Sequence, residues 1–295
     1  MNQIASHIDV GPRDNLEDAA LSLSILPSAM NIVPAYFLAL FDGAGGPQFG
    51  EVASGEALVH IPANFLAILA AHATHPTTAP LSDEFVVAAL SHVLESANQA
   101  ILNRAIEDPA LLGMATTAVC AVVIDDMLVV GWVGDSRCYI HNKNGLRLVT
   151  HDHSRIQELI DLGQIERSDA GDHPEAHAIT RYLGQAAGFT PETAVTQLEA
   201  GDVVLLCTDG LTDVLSDEKL ADVMASCRIG RFPFSELPAE LVRKALDAGT
   251  CDNSSAVCYH HEPFQSQINC DRTWTAAYVE AVARTMSPNK RGALS

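Results

Sequence analysis

The sequence places an acidic residue at the end of an apolar run, directly before a glycine-rich turn. The run Ala35–Phe41 is followed by Asp42 and Gly43, with further glycines at Gly45 and Gly46. Because glycine lets the backbone bend sharply, such a turn can present the Asp42 carboxylate and the Gly43 carbonyl to the same point. Hard divalent cations take oxygen ligands of this kind. Asp-Gly is also an ordinary turn signal, so the stretch alone favours a plain turn over a metal site.

Four further groups of acidic residues stand beside turn residues in the sequence. They are Glu17-Asp18, Gly134-Asp135-Ser136, Asp209-Gly210 and Asp252-Asn253. Each group by itself is typical of a turn, a bend or a solvated pair. Carboxylates at the edges of several strands can nevertheless converge at one end of a sandwich of sheets, so a fold that brings these groups to Asp42 would create one acidic site.

Apolar patterns along the chain predict the strands and helices that would carry these residues. Helical spacing predicts helices over about 50–71, 82–106, 154–162, from 216 onward, and over 235–248. Strands are predicted twice within 1–26, then at 35–41, 119–124, 127–133, 137–141, 146–150, 203–207 and 254–259. Hairpin signals favour antiparallel pairing, and grouped helices argue against βαβ alternation. We therefore expect an α+β fold in which helices cover the outer faces of two antiparallel β-sheets.

Composition and charge exclude several classes of protein. The chain has 295 residues, 48% of them hydrophobic, which is enough for one large core. With 17 basic and 37 acidic residues its formal charge is −20, so nucleic acid and anionic membranes are poor partners. We find no secretory signal and no apolar run of the roughly 20 residues that a membrane span needs. The cysteines form no C-x-x-C pair and lie mostly in apolar runs, which predicts buried thiols and a cytoplasmic location.

Nine short motifs follow one another along the chain. They are Arg13…Glu17-Asp18, Asp42-Gly43-Ala44-Gly45-Gly46, Gly50-Glu51-Val52-Ala53-Ser54, Gly113-Met114-Ala115-Thr116-Thr117, Gly134-Asp135-Ser136-Arg137, Asp152-His153-Ser154, Thr180-Arg181-Tyr182-Leu183-Gly184, Thr208-Asp209-Gly210-Leu211-Thr212-Asp213 and Asp252-Asn253-Ser254-Ser255. In this order they resemble the metal-dependent serine/threonine phosphatases of the type 2C family. The resemblance runs from about residue 3 to residue 261, and the spacing is similar to that of the compact bacterial branch.

The resemblance implies a four-layer α-β-β-α sandwich whose cleft holds two Mn²⁺ or Mg²⁺ ions, with a weaker third ion in many members. Carried over by position, Asp42 would bridge the two ions and Gly43 would offer its carbonyl. The first ion would be completed by Asp209 and Asp252. The second would be held, mainly through its waters, by Glu17 and Asp18. The third would lie between Asp135 and Asp209.

The resemblance also implies an activity, which is hydrolysis of phosphoserine and phosphothreonine in proteins by a water that bridges two metal ions. Arg13 would bind the substrate phosphate, and Asp42 and Asp209 would complete the catalytic set. Phosphoproteins, a cognate serine/threonine kinase and its targets are the expected partners, and we expect a monomer. The alternatives are a catalytically silent phosphoprotein-binding regulator of the same fold and a hydrolase of small phosphate esters.

The resemblance divides the chain into a phosphatase domain at 1–262, with a flap subdomain at about 151–200, and a C-terminal helical extension and tail at 263–295. One departure bears on mechanism. Many members have His or Met at the position of Ala44, and bacterial members often have His at the position of Pro47; a His there is assigned to protonation of the leaving group. In this chain a metal-bound water or a different residue must supply that proton.

Histidines elsewhere in the chain also invite a metal assignment. Neighbours in a strand point to opposite faces, so the pair at 260–261 is poorly placed to share one ion. His173 and His177 would share an ion only in a helix, and Pro174 between them favours a loop. We therefore expect the flap histidines to contact substrate.

Overall fold

The computed structural model describes residues 3–25, 35–44, 49–74, 81–166, 169 and 173–262, and these contain twelve β-strands and six α-helices. The strands are β1 (Ile4–Asp9), β2 (Ala19–Ile25), β3 (Ala35–Phe41), β4 (Gly43–Ala44), β5 (Ala115–Thr116), β6 (Ala118–Ile124), β7 (Met127–Val133), β8 (Arg137–Asn142), β9 (Gly145–Leu148), β10 (Glu192–Gln197), β11 (Val203–Cys207) and β12 (Ser254–His260). The α-helices are α1 (Gly50–Thr74), α2 (Asp83–Glu107), α3 (Arg155–Asp161), α4 (Asp209–Thr212), α5 (Asp217–Arg228) and α6 (Leu237–Asp247). Short 3₁₀ helices cover Pro109–Leu111 and Phe234–Glu236.

Ten of these strands form two antiparallel sheets. The order is β1-β12-β11-β8-β9 in the first sheet and β10-β7-β6-β3-β2 in the second. The remaining strands, β4 and β5, pair as a short ribbon in which Gly43 lies opposite Thr116. The two predicted hairpins are confirmed, since Ile124 lies opposite Met127 in one and Asn142 opposite Gly145 in the other.

The alternation of side chains along β3 shows why the two sheets stack. Its side chains are almost all buried, and successive residues face opposite sides of the sheet. Phe37 and Phe41 belong to the core cluster that the second sheet shares with α1 and α2. Leu38 and Leu40 belong to the cluster between the sheets, together with Val257 of β12. The strand is therefore covered on both faces.

A third apolar cluster covers the outer face of the first sheet. Leu220 of α5 and Leu241 of α6 pack there against Leu205 and Cys258. The layers therefore follow the order helices, sheet, sheet, helices, and the predicted four-layer α-β-β-α sandwich is confirmed.

Helices α1 and α2 are long and apolar enough, by length and composition alone, to span a membrane. Their apolar side chains have a place in the core, because Ile61 and Phe65 of α1 and Leu90 and Leu94 of α2 are fully buried on the second sheet. Core helices commonly have this composition, so the property carries no membrane assignment.

The structure differs from the sequence prediction in the stretch 151–200. We predicted one helix and otherwise loops, but β10 pairs with β7 along the edge of the second sheet, with Glu192 opposite Trp132. The strand was missed because it is half-exposed and carries polar residues along most of its length. The predicted extension and tail at 263–295 lie outside the described residues.

Candidate metal centre

Asp42 lies at the end of β3, directly before the β4–β5 ribbon. Its N–H donates to Oγ1 of Thr117 at 3.1 Å. Its carbonyl oxygen accepts from the Thr117 N–H at 2.8 Å and from Oγ1 of Thr116 at 2.9 Å. The backbone of Asp42 is therefore held on both sides, and the carboxyl group is the part of the residue available to a ligand.

The turn at Gly43 is packed so closely that no side chain fits. A Cβ on Gly43 would lie 2.7 Å from the Glu17 carbonyl oxygen, and a Cβ on Gly50 would lie 2.9 Å from Cδ of Glu17. The Gly43 N–H donates to the same Glu17 carbonyl at 3.2 Å. This close approach, which only glycine permits, places Glu17 beside the turn that carries Asp42.

Asp18, directly before β2, is buried and hydrogen-bonded to the first sheet. Its Oδ2 accepts from Oγ1 of Thr208 at 3.1 Å and from Oγ of Ser255 at 2.5 Å. Burial raises the pKa of Asp18 to about 7, opposed by the Ser255 hydrogen bond and assisted by the nearby Asp209 carboxyl group. The two hydroxyl groups therefore fix Asp18 between the ends of β11 and β12.

Asp209 is the first residue of α4, which is separated from β11 by Thr208 alone. The next residue, Gly210, touches the loop before β12, because a Cβ there would lie 2.9 Å from the carbonyl carbon of Asn253. Oδ1 of Asp209 is buried and has no hydrogen-bond partner among the described residues. Burial raises the pKa of Asp209 to about 6, and the Asp213 carboxyl group adds to the effect. A buried oxygen without a partner is costly, and here it indicates a place for a cation.

Asp135 lies in the turn between β7 and β8, after Gly134, which has a φ of 107° and packs against Thr117. Burial raises the pKa of Asp135 and of Asp42 well above the ordinary range, and the Asp209 carboxyl group raises both further. Four desolvated carboxyl groups therefore repel one another in one region. We call them the acidic cluster: Asp18, Asp42, Asp135 and Asp209.

Asp252 and Arg13 lie at the edge of the acidic cluster and pair with each other. Nη2 of Arg13 donates to Oδ2 of Asp252 at 2.7 Å, and Nε donates to the Cys251 carbonyl oxygen at 2.7 Å. Both side chains are partly exposed, 53% for Arg13 and 39% for Asp252. A guanidinium group at this edge is accessible to an anion arriving from solvent.

The predicted ligands lie near one another without closing a metal shell. Burial raises the pKa of Glu17, and the neighbouring Glu51 and Asp252 carboxyl groups contribute to this shift. Within the described ranges, however, no three Asp, Glu, His or Cys side chains are arranged to hold one ion as they stand. The common shell expected for Asp42, Asp209 and Asp252 is not formed in this arrangement, and the ligand assignments stay predictions.

The chemistry of the acidic cluster nevertheless fits Mn²⁺ or Mg²⁺. Its donors are carboxylate oxygens beside a glycine turn, which are the ligands that hard cations prefer. A cation would satisfy the partnerless Oδ1 of Asp209 and would relieve the burial and mutual repulsion that raise the pKa values of the neighbouring carboxyl groups.

Sequence reasoning did not single out three charged residues next to the acidic cluster. Arg137 and Asp152 form a bidentate ion pair, with Nη2–Oδ2 at 2.6 Å and Nε–Oδ1 at 2.9 Å. Asp213 follows α4, and its N–H donates to the Asp209 carbonyl oxygen at 2.8 Å. All three stand in the motifs quoted above, so their position was visible in the sequence, but their contacts depend on the fold.

The histidines face separate partners. Nδ1 of the buried His153 accepts from the Gly134 N–H at 3.1 Å, and its Nε2 lies 3.2 Å from Oε1 of Glu192. Of the other histidines, His151 pairs with Asp161, His261 with Asp126, His260 with Glu262 and His177 with Asp213. His173 accepts, at Nδ1, the N–H of Glu175 within its own turn.

Comparison with known proteins gives a family for this sandwich and its acidic cluster. The sequence profile described as "Protein phosphatase 2C" matches residues 18–246. The serine/threonine phosphatase stp of Listeria welshimeri is 34% identical over 212 residues, which are 72% of this chain and 79% of the relative. The protein phosphatase PhpP of Streptococcus pneumoniae is 32% identical over 214 residues, covering 72% of this chain and 81% of the relative.

Solved structures agree with the sequence comparison. The serine/threonine phosphatase PstP/Ppp of Mycobacterium tuberculosis superposes with a TM-score of 0.69 at 30% identity, covering 88% of this chain and 98% of that chain. The catalytic domain of PstP in complex with two manganese ions gives a TM-score of 0.67 at 29% identity, with the same coverage. The fold and the site therefore define an enzyme of the serine/threonine phosphatase class. The chain belongs to the protein phosphatase 2C family.

Proposed function

We propose that this protein removes phosphate from phosphoserine and phosphothreonine in other proteins, and that it binds two Mn²⁺ or Mg²⁺ ions to do so. The observation that carries the proposal is the acidic cluster, in which desolvated carboxyl groups surround the partnerless Oδ1 of Asp209. The solved PstP relative in complex with two manganese ions supports the metal requirement.

The role proposed for each ligand is carried over from its position in the family motifs. Asp42 would be a ligand of both ions, and Gly43 would offer its carbonyl. Asp209 and Asp252 would complete the first ion, and Glu17 and Asp18 would hold the second, mainly through its waters. A weaker third ion would lie between Asp135 and Asp209. When bound, two such ions neutralise phosphate charge and lower the pKa of a water for in-line attack.

Arg13 has a separate role in this proposal. Its planar guanidinium group matches two oxygens of a phosphate, and its half-exposed position at the edge of the acidic cluster lets it meet an incoming substrate. Arg13 is paired with Asp252 in the described arrangement, so an ion that took up the Asp252 carboxylate would leave the guanidinium group available to the phosphate. Lys at this position would bind the phosphate less well, because it lacks the fork of donors.

Removal of metal and of one central carboxylate tests the proposal. We expect activity on p-nitrophenyl phosphate and on a phosphothreonine peptide to require Mn²⁺ or Mg²⁺, and to fall by about 100-fold or more in Asp42→Asn and Asp209→Asn, because transition-state charge is then poorly stabilised. Asp222→Asn, on the exposed face of α5, is the matched control and keeps full activity. Turnover that persists in EDTA would contradict the proposed metal requirement.

The same assay separates the two alternatives. Phosphopeptide binding by calorimetry without turnover at any metal concentration would identify a silent regulator. Higher kcat/KM on small phosphate esters than on phosphopeptides would identify a metabolite phosphatase.

We further propose that the protein is a cytoplasmic monomer that opposes a cognate kinase. The free cysteines among the described residues suit a reducing compartment, and cell fractionation and light scattering test location and oligomeric state.

A further inference from the structure

Helix α1 is apolar around its whole circumference, although one side of it faces away from the sandwich. The side on the second sheet carries Ile61 and Phe65, which are fully buried. Residues three or four apart share a face of a helix, and the opposite side carries Gly55, Val59, Ala63, Leu66 and Ala70. We call these five residues the outer face of α1. Val59 is 64% exposed, and the other four are partly exposed.

The outer face of α1 differs from the water-facing side of an ordinary surface helix. Such a side normally carries charged and polar residues, whereas none of these five residues has a charged or hydrogen-bonding side chain. Across an apolar stretch of 18 residues within α1, 33% of the residues are buried. A helix that is hydrophobic on all sides is normally covered on all sides, so this face indicates a missing partner.

The segment 263–295, which lies outside the described residues, has the sequence of such a partner. Its apolar residues recur at helical spacing within 273–286, at Trp274, Tyr278, Ala281 and Val282. The segment has four basic and two acidic residues, whereas the 262 residues before it have 13 basic and 35 acidic residues. A net positive segment is therefore attached to a strongly negative body, and this difference in charge favours docking.

The described chain ends on the side of the sandwich where the β6–β7 turn lies. Nε2 of His261, directly after β12, lies 2.9 Å from Oδ1 of Asp126 in that turn. Strand β3 begins on the same side, since Ala35 lies opposite Ile124. Residue 263 therefore follows from the end of the sandwich that is opposite the acidic cluster.

Helix α1 runs from the acidic cluster towards that same end. It begins at Gly50, which touches Gly43 beyond the end of β3. Further along, Phe65 stacks on Phe37 near the start of β3, with ring centroids 5.0 Å apart. Sheets stack about 10 Å apart and a helix is about 10–12 Å across, so the outer face of α1 lies roughly 25 Å from β12. Residues 263–272 span up to about 33 Å when extended, which is sufficient to reach it.

We propose that the segment 273–286 docks as a helix on the outer face of α1 of the same chain. Large aromatic side chains bury much apolar area, and the small residues of the outer face let Trp274 and Tyr278 approach the helix closely. Burial of apolar surface on both partners is the driving force. The docked segment covers α1 on the side that the second sheet leaves open.

Hydrogen exchange measured by mass spectrometry on the full chain tests this docking. Val59→Lys places a positive charge on the outer face, and we expect the amides of 273–286 to exchange about 10-fold or more faster than in the unaltered protein, because the docked state is lost. Equally fast exchange in the two proteins would overturn the proposal. Slow exchange that Val59→Lys leaves unchanged would overturn it as well, because the segment would then be protected elsewhere.

Ile229→Lys is the matched control for this experiment. Ile229 follows α5 and is 69% exposed, so the substitution adds the same charge in place of an equally exposed apolar side chain. We expect exchange within 273–286 to stay as in the unaltered protein. Faster exchange in Ile229→Lys, equal to that in Val59→Lys, would count against a specific role for the outer face of α1.

A double-mutant cycle tests whether the two surfaces contact each other. We expect Tyr278→Ala to lower the urea midpoint of the unaltered protein and to have no further effect in Val59→Lys, because that variant has already lost the contact. Val59 is exposed, so its replacement leaves the core intact. Fully additive effects of the two substitutions would overturn the proposal.

A second copy of the chain is the other occupant that this face could take. Docking within one chain predicts that the protection of 273–286 is independent of protein concentration and that light scattering gives the mass of one chain, 31.4 kDa. Protection that increases with concentration, together with a doubled mass, would overturn the proposal and would identify the outer face of α1 as a dimer interface.

Discussion

Asp18 and Asp209 take up protons closer to neutral pH than ordinary carboxyl groups do. Burial raises the pKa of Asp18 to about 7 and that of Asp209 to about 6, against about 3.9 for an aspartate in an unfolded chain. As pH falls from about 7 to about 4, the folded state therefore binds protons that the unfolded state does not. Lowering the pH therefore stabilises the folded state through these two groups, whereas it destabilises a folded state whose carboxylates are paired with cations.

We expect the metal-free protein to become more stable as pH is lowered from about 7.5 to about 5.5, because protonation relieves repulsion in the acidic cluster. Urea denaturation in EDTA at the two pH values measures this. The gain should shrink in Asp18→Asn and persist in Asp222→Asn. Stability that decreases over the same interval would contradict the raised pKa values.

Metal binding should show the complementary pH dependence, because protons and cations compete for the same carboxylate oxygens. We expect Mn²⁺ to raise the midpoint of thermal unfolding more at about pH 7.5 than at about pH 5.5. Differential scanning calorimetry with and without Mn²⁺ measures the shift, and Asp209→Asn should reduce it. A shift independent of pH would place the ion away from the acidic cluster.

At the scale of elements, the site is assembled by close contacts between elements that are far apart in the chain. The start of α4 meets the loop before β12 at Gly210 and Asn253, and α1 begins against the Glu17 loop at Gly50. These contacts exclude a Cβ, so the glycines fix the distance between neighbouring acidic groups. Glycine at these points is therefore a condition of the site's geometry.

Gly210→Ala tests this geometry. The added Cβ would overlap the Asn253 carbonyl group, and we expect a loss of about 2 kcal/mol of stability, as overpacking typically costs, together with weaker Mn²⁺ binding. Gly55→Ala is the matched control, since Gly55 lies within α1 with nothing within 4 Å of the added atom. It should instead gain roughly 0.5–1 kcal/mol from lower backbone entropy. Equal effects in urea denaturation would refute the close-contact argument.

The sequence was informative where the signal is local. Long apolar patterns predicted α1 and α2, and turn residues predicted the β6–β7 and β8–β9 hairpins. The edge strand β10 was missed, because its polar and half-exposed residues lack the alternation of a buried strand. The order of the nine short motifs predicted that the residues of the acidic cluster belong to one site. The pairing of His177 with Asp213 depends on where the 174–177 turn lies, which no local pattern encodes.

At the scale of the whole molecule, the formal charge of −20 is far larger than the acidic cluster requires. A surface of this kind creates a long-range negative potential that salt screens, with a Debye length of about 8 Å at physiological ionic strength. Substrate segments that differ only in flanking charge should therefore reach the active site at different rates.

We expect kcat/KM for a phosphothreonine peptide flanked by lysines to exceed that of the same peptide flanked by glutamates at low salt. The ratio should fall towards one as NaCl increases, because screening removes the attraction and the repulsion together. A neutral peptide serves as the control and should change little. A ratio insensitive to salt would show that flanking residues act through local contacts.

The pairing of β1 with β12 bears on the stage of synthesis at which the chain can become active. In its sheet β1 lies at the edge, and its neighbour is the last described strand, with Ile4 opposite Tyr259. Ser255, which holds Asp18, is in that same strand. Because chains are synthesised from the N-terminus, a growing chain carries most of the phosphatase motifs long before β12 leaves the ribosome. A chain that ends before β12 lacks Ser255, the hydrogen-bond partner of Asp18, so we expect it to be inactive until β12 has been added.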